Sequence, residues 1–350
     1  MTENNTIAIW CEKLKGAPDT GAEFHINLWH FSNTNRSNFF ELGIMTDDPK
    51  QLECIKIYVP IAIKNSEIQD LGKQFTSIDI AQGIFNETLS CKLSANGRCV
   101  ELLEGKSVYC QVHIFSTDGS GIDEEELSLR AQGSGTLVTI TRKALRSLAS
   151  ETTDSHAGYF RLRVKPEDPL KEPFLTIINP KDHSWNSGFN VIEYIDCRVN
   201  EARTLPKSVE AAFQAAGNGV ASTKLIAFLA VVPVTSAITS SHTEWHKSRI
   251  LEQEIWKNYV PQGLNEAMVV YHWKKTFSCI KERRFVSFSA FVKMQTRKSG
   301  TSTIVIYLVL AFVLGTLASV FGSILFQEFF HDVSELTARC IKYFHKFLQL

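Results

Sequence analysis

The densest run of chemically capable side chains lies between Ile195 and Pro206, IDCRVNEARTLP. Strand side chains alternate, so a strand continuing through Val199 places Asp196, Arg198 and Asn200 on one face, with Glu201 and Arg203 at its end. Two carboxylates, two guanidiniums and an amide gathered there suit a ligand or a protein partner. The alternative is a sheet-edge network in which these charges satisfy one another. A second candidate is His242-Thr-Glu-Trp-His246. On a helix, imidazoles four residues apart face one metal ion. A zincin site needs Glu directly after the first His, where this chain has Thr243. His242 and His246 are therefore metal candidates without a metal motif, and capping or surface solvation explains them as well.

Other constellations point away from chemistry. The eight cysteines are scattered and form no CxxC pair, which leaves a zinc ribbon or thioredoxin-type site unsupported. In an intracellular body they read as small buried hydrophobes on strands. Ser116 to Glu126, STDGSGIDEEE, has Leu127 where a calcium loop requires its bidentate Glu once Asp118 is set at the third ligand position. An acidic hairpin tip is the better reading. Gly133-Ser-Gly135 and Gly217-Asn-Gly219 lack the Lys or third Gly of a phosphate cradle. No Ser-His-Asp or Cys-His arrangement can be assembled, so no catalytic residue is assigned and no cofactor is expected.

Composition sets the frame for these sites. The chain has 350 residues, with 37 Lys and Arg against 37 Asp and Glu, 44% hydrophobic and 21% charged. That is ordinary globular composition, unlike a disordered, collagenous or coiled-coil protein, and too polar for a polytopic transporter. Zero net charge and the lack of a basic stripe interleaved with aromatics argue against a nucleic acid partner.

Up to about residue 295 the apolar period is two. Ile55 to Ile63, Val108 to Ile114, Phe160 to Val164 and Val286 to Val292 each alternate, as half-buried strands do. Leu225 to Val232 reads as a buried strand. Helices are expected over Ser66–Phe75, Ser208–Ala216 and Thr243–Tyr259, the last being the longest. The polar stretch Ser150 to Gly158 suggests a boundary between a β-rich domain, 1–150, and an α+β domain, 151–298. The fold class is mainly β, or α+β, in antiparallel sheets, followed by one C-terminal transmembrane helix at 302–327 and an amphipathic helix at 328–350.

No charged residue occurs from Ser299 to Gln327, and the 23 residues from Ile304 to Phe326 are long enough to span a bilayer core of about 30 Å. The N-terminus shows no cleavable signal. Arg283, Arg284, Lys293, Arg297 and Lys298 precede the span, against Arg339, Lys342 and Lys346 after it. This bias predicts a single-pass protein with its N-terminal body in the cytoplasm. Within the span, Ala311, Gly315, Ser319 and Ser323 recur every fourth residue, a face that lets another helix approach closely. Beyond it, Phe330, Val333, Thr337, Ile341, Phe344 and Leu348 make an apolar stripe that suits the membrane surface or a neighbouring subunit.

These features predict a membrane-anchored interaction or sensor protein, with the lipid bilayer, a second copy of the chain and a cytosolic protein as partners. One form of it is an effector whose oligomerisation perturbs the membrane. The alternatives are a membrane-tethered enzyme with its pocket near Asp196–Arg203 or His242–His246, and a structural subunit of a membrane complex.

Overall fold

The computed structural model describes residues 6–31, 37–119, 121–149, 156–168, 172–178, 190–277, 286–297 and 301–347. Cys279, Arg283, Arg284, Lys298, Leu348 and most of the polar stretch after residue 149 lie outside them.

In chain order the strands are β1 (Thr6–Lys13), β2 (Gly21–Trp29), β3 (Phe39–Thr46), β4 (Leu52–Val59), β5 (Ile68–Asp70), β6 (Ser90–Leu93) and β7 (Cys99–Glu104). Next come β8 (Ser107–His113), β9 (Thr117–Asp118), β10 (Gly121–Ile122), β11 (Leu127–Gln132), β12 (Gly135–Ile140), β13 (Gly158–Val164) and β14 (Leu175–Ile178). The last are β15 (Asn190–Val199), β16 (Ser222–Pro233), β17 (Ser236–Ser241), β18 (Lys247–Ile250), β19 (Met268–Thr276) and β20 (Phe288–Arg297). The helices are α1 (Ile78–Phe85), α2 (Arg142–Ala149), α3 (Lys207–Ala216), the single turn α4 (Gln253–Trp256) and α5 (Thr301–Phe347).

One sheet of eight strands runs β11-β12-β4-β1-β15-β20-β17, with β14 beside β15. A second, of ten, runs β18-β19-β16-β2-β3-β13-β8-β7-β6, with β5 beside β13. Strands from before and after residue 150 are neighbours in both sheets. β1 pairs β15 in parallel, and β16 pairs β2 in parallel from Ser222↔Gly21 to Val231↔Trp29. By contact the chain divides into two units, Met1–Pro180 with Val191–Thr296, and Lys181–Asn190 with Arg297–Leu350.

The period-two pattern builds the first unit as a sandwich. Ile7 and Ile9 of β1, Ile55 and Ile57 of β4 and Ile195 of β15 share one core with Phe24 and Ile26 of β2 and with Ile226 and Phe228 of β16. Burying each such side chain contributes roughly 1.5–3 kcal/mol. The alternate residues of β1, Ala8 and Trp10, face the other way and are covered by Val209, Ala212 and Phe213 of α3. The outer face of the ten-stranded sheet is covered only in patches. One patch gathers Trp29, Val231, Trp256 and Tyr259, and the other Met45, Phe75, Val112 and Tyr159.

Two expected helices are not there. Over Ser66–Phe75 the chain makes short 3₁₀ turns on either side of β5, which pairs β13. Gly72 approaches so closely that an added Cβ would stand 2.0 Å from the His113 carbonyl oxygen, and the α-helix begins only at Ile78. Over Thr243–Tyr259, Lys247 to Ile250 pair the edge of β19, and only Gln253–Trp256 is helical. Thr, Trp, Ser and Ile are indifferent helix formers, so pairing and the burial of Leu251 and Trp256 prevail. The third expected helix forms as α3.

The second unit carries α5, 47 residues in one helix and thus about 70 Å long. The helix passes without a break from the apolar stretch into the amphipathic one. Its segment Ile304–Lys342 reaches a mean hydropathy of 2.6 in its most apolar window, with none of that window buried. It is long and apolar enough to cross a membrane. The protein is thus a mainly β body with one apolar C-terminal helix that fits a transmembrane anchor.

Candidate functional site

The two clusters singled out in the sequence come together in the first unit. Asn200, Glu201 and Arg203 line a cleft of about 840 Å³ with His242, Glu244 and His246. Asp196, Arg198, Glu201, Arg203 and His242 border a second hollow of about 470 Å³.

Within that meeting, the charges bind one another. Arg198 donates from Nε to Asp196 Oδ1 at 3.0 Å and from Nη2 to Oδ2 at 2.5 Å, a pairing that follows from their shared face of β15. Arg203 donates from Nε to Glu201 Oε1 at 2.9 Å. Asn200 does not stay on the strand face. At φ 54° it takes the left-handed conformation that Asn tolerates, and it is 3% exposed. Its Oδ1 accepts from Ile9 N–H at 2.8 Å and its Nδ2 donates to Ile9 O at 3.1 Å, so the amide continues the pairing of β1 past the end of β15. His242 lies in a bend just after β17 and His246 in a bend just before β18, not on a shared helix face. Their backbone N–H groups donate to Phe291 O and His272 O. Among the described residues no three His, Cys, Asp or Glu side chains are grouped to hold a metal ion.

A different site was not singled out in the sequence. On the ten-stranded sheet's outer face, bordered by residues of both patches, lies a groove of about 530 Å³. Strand register builds its floor in rows. Gly43, His25, Ala227 and Lys274 form one row across β3, β2, β16 and β19. Asn27, Leu229, His272 and Lys247 form the next, and Trp29, Val231, Val270 and Arg249 the third. Ala227, with its single methyl, leaves room above the floor there. The end of α1, with Ile84 and Phe85, and Trp256 of α4 also line the groove.

Polar atoms in this groove are incompletely served. Trp29 is 2% exposed, and its Nε1 has no hydrogen-bond partner among the described residues; the same holds for Nε2 of His272. A buried polar group left unpaired costs about 1–3 kcal/mol. Burial, helped by His246, Lys274 and Lys247 nearby, lowers the His272 imidazole to about 4. Burial, with Arg161 beside it, lowers His25 to about 3. Both rings are therefore neutral near pH 7. Arg161 lines the β13 side of the groove, and behind it Glu41 is shared by Arg161 Nη2 at 2.5 Å and Arg163 Nη2 at 2.7 Å and accepts from Tyr259 Oη at 2.9 Å. Burial works against the Glu41 carboxylate, but the two guanidiniums hold it well below the usual range. The sequence signal for this site is the strand GAEFHINLW, where Glu23, His25 and Asn27 alternate with Phe24, Ile26 and Leu28.

A third polar cluster surrounds the acidic hairpin. β9 and β10 form the hairpin, but Glu126 turns inward, 2% exposed, and accepts from Ser116 N–H at 3.0 Å and pairs with Arg98 and with His113. Burial would raise its carboxyl, yet these partners hold it down at about 2. Asp70, close by, shows the reverse. Burial raises it to about 7 although Gly72 N–H and Phe115 N–H donate to it at 3.0 and 3.2 Å. Cys11, Cys54, Cys99, Cys110 and Cys197 are buried free thiols on strands, Cys91 is half-buried and Cys340 is exposed.

No known protein family and no curated protein matches this sequence. A similar solved structure is the Fcho1 Mu homology domain of Danio rerio with bound Eps15 peptide. It is 12% identical and covers 82% of this chain and 82% of that chain, at a TM-score of 0.16. At that score the likeness says nothing of what this protein binds.

Proposed function

We propose that the chain is a membrane-anchored interaction protein, held by α5 and presenting its β body to the cytoplasm. The observation that carries this reading is α5 itself, whose apolar side chains are exposed all around, among them Ile306, Leu308, Phe312, Phe321 and Leu325. Such a surface is costly in water and at home in lipid. The flanking cations favour the cytoplasmic body. Helices associate through small residues, and Ala311, Gly315, Ser319 and Ser323 form the face for a second copy. Apart from its own helix backbone, nothing lies within 4 Å of the place a Cβ on Gly315 would take. The self-paired charges of Asp196, Arg198, Glu201 and Arg203 suit a surface that meets a protein partner better than an acid–base pocket, which supports the interaction reading over the tethered enzyme.

The test is alkaline extraction of membranes from cells expressing the full chain. The wild type stays in the pellet. Val313→Lys with Leu317→Lys puts two charges mid-span, each worth about 2.5–3.5 kcal/mol against insertion, and moves the protein to the soluble or aggregated fraction. A wild type released by alkaline wash removes the anchor. A protease that digests the body only after the cytoplasmic face is opened confirms its side. Gly315→Ile lowers crosslinked dimer if the small-residue face associates.

A further inference from the structure

The groove on the ten-stranded sheet has the attributes of a ligand site. Its volume, about 530 Å³, falls in the range that accepts small organic molecules, roughly 300–1,000 Å³. Its lining divides by chemistry. Trp29, Trp256, Phe85 and Tyr109 supply aromatic surface, and Ala227 and Leu229 an apolar floor. Lys247 and Lys274 stand over the same stretch, in register with His272 and Ala227 respectively. Among the described residues neither lysine is in an ion pair, in contrast to the arginines of the charged cleft. At the opposite side of the groove, four strands away on β13, Arg161 pairs with Glu41, which Arg163 shares, so that side also carries two guanidiniums against one carboxylate. Glu23 is the one carboxylate among the described lining residues, and it lies in the row of Leu225, away from Lys247. Trp29 Nε1 is a donor in want of an acceptor, and the His272 ring, neutral near pH 7, has a nitrogen in want of a partner.

From this arrangement we propose that the groove binds a small organic anion with a flat apolar body, its carboxylate or phosphate held by Lys247 and Lys274 and its body laid against Trp29, Leu229 and Trp256. An apolar molecule without charge would leave the cations and ring nitrogens unserved, and a bare inorganic anion would leave the aromatic floor wet. The site does not depend on the membrane reading, because every lining residue belongs to the β body.

The experiment uses the full chain in lipid nanodiscs, with empty nanodiscs as reference, and isothermal titration calorimetry. The probes are 1-naphthoate, 1-naphthyl phosphate and uncharged 1-naphthylmethanol. One or both anions bind saturably, at least about tenfold tighter than the alcohol, and the stronger of the two identifies the head group. Lys247→Glu with Lys274→Glu, both exposed, weakens the anion at least about tenfold while leaving thermal unfolding in place. Trp29→Phe keeps an aromatic, if smaller, ring, removes the donor and weakens binding about threefold or more. Should Trp29→Phe fail to fold, the lysine pair decides alone. Equal binding of the alcohol and the anions, no effect of the lysine reversal, or no saturation by any probe up to about 5 mM overturns the proposal. None of these results bears on alkaline extraction, so the anchor stands or falls separately.

Discussion

Two charged clusters in this protein begin from the same sequence device, ionisable side chains two apart on a strand, and end in opposite physics. Asp196 and Arg198 on β15, with Glu201 and Arg203 just beyond, stay at the surface, where Arg203 keeps 87% of its side chain exposed. Arg161 and Arg163 on β13 are 1% and 2% exposed, locked to Glu41 of β3 and to Tyr259. The Arg163 guanidinium also lies 4.5 Å from the Phe39 ring. An exposed pair is screened and worth about 0–1 kcal/mol. A buried one has given up its hydration and tolerates no loss of a partner. Charge density along the sequence thus marks the cluster that matters less for stability.

The strongest way to break this comparison is Glu41→Gln, which leaves two buried guanidiniums without their shared carboxylate. It should cost about 3–5 kcal/mol in chemical denaturation followed by tryptophan fluorescence. A loss under about 1 kcal/mol would show that water reaches the cluster. Next is the pH dependence of the buried carboxylates. Asp70 titrates near 7 in the folded protein and near 3.9 when unfolded, so its contribution is fully present below about pH 4 and is lost as pH rises through 7. The span corresponds to at most about 4 kcal/mol. Glu126 has the opposite sign, its contribution being present above about pH 4 and lost as pH falls through 2. Denaturation of Asp70→Asn between pH 4 and 8 should therefore show a shallower decline than the wild type, whatever its absolute stability. Parallel profiles would contradict the assignment.

Asn200 sharpens the comparison from within the exposed cluster, since it alone is buried there. Asn200→Gly keeps the left-handed backbone but removes the amide from Ile9, and should destabilise by about 1–3 kcal/mol. The smallest effect is expected for Arg203→Ala, within about 0.5 kcal/mol by the same denaturation assay. If it exceeded Asn200→Gly, the surface pairs would be more than solvated charges.

Several features were legible beforehand for identifiable reasons. α5 announces itself because apolar length needs no partner to be read, β4, β8, β13 and β20 because their apolar residues alternate, and β16 because a short, wholly apolar run stopping at a proline suits a buried strand. α3 was found from the helical run ending at Gly217. Thr243–Tyr259 misled, because the local pattern of Leu251, Ile255, Trp256 and Tyr259 is compatible with a helix while the preceding residues complete the edge of β19. Ser66–Phe75 misled for a like reason, as Gly72 and Asp70 serve contacts to His113 and Phe115 that lie some forty residues away. Gathering Glu201 and Arg203 with His242 and His246 in one cleft is also beyond local reading.

The groove marks the limit most clearly. Glu23, His25 and Asn27 read as the wet side of a strand, and nothing within nine residues says otherwise. Only the register β3-β2-β16-β19-β18 sets His272, Lys247 and Lys274 beside them, and only α1 and α4 wall them in. By itself the sequence determined that the body is β and that one helix suits a membrane, because periodicity and apolar length are local quantities. The tertiary structure decided which charges are buried, which donors go unmet and where a cavity opens, because desolvation and pairing depend on neighbours that only folding supplies.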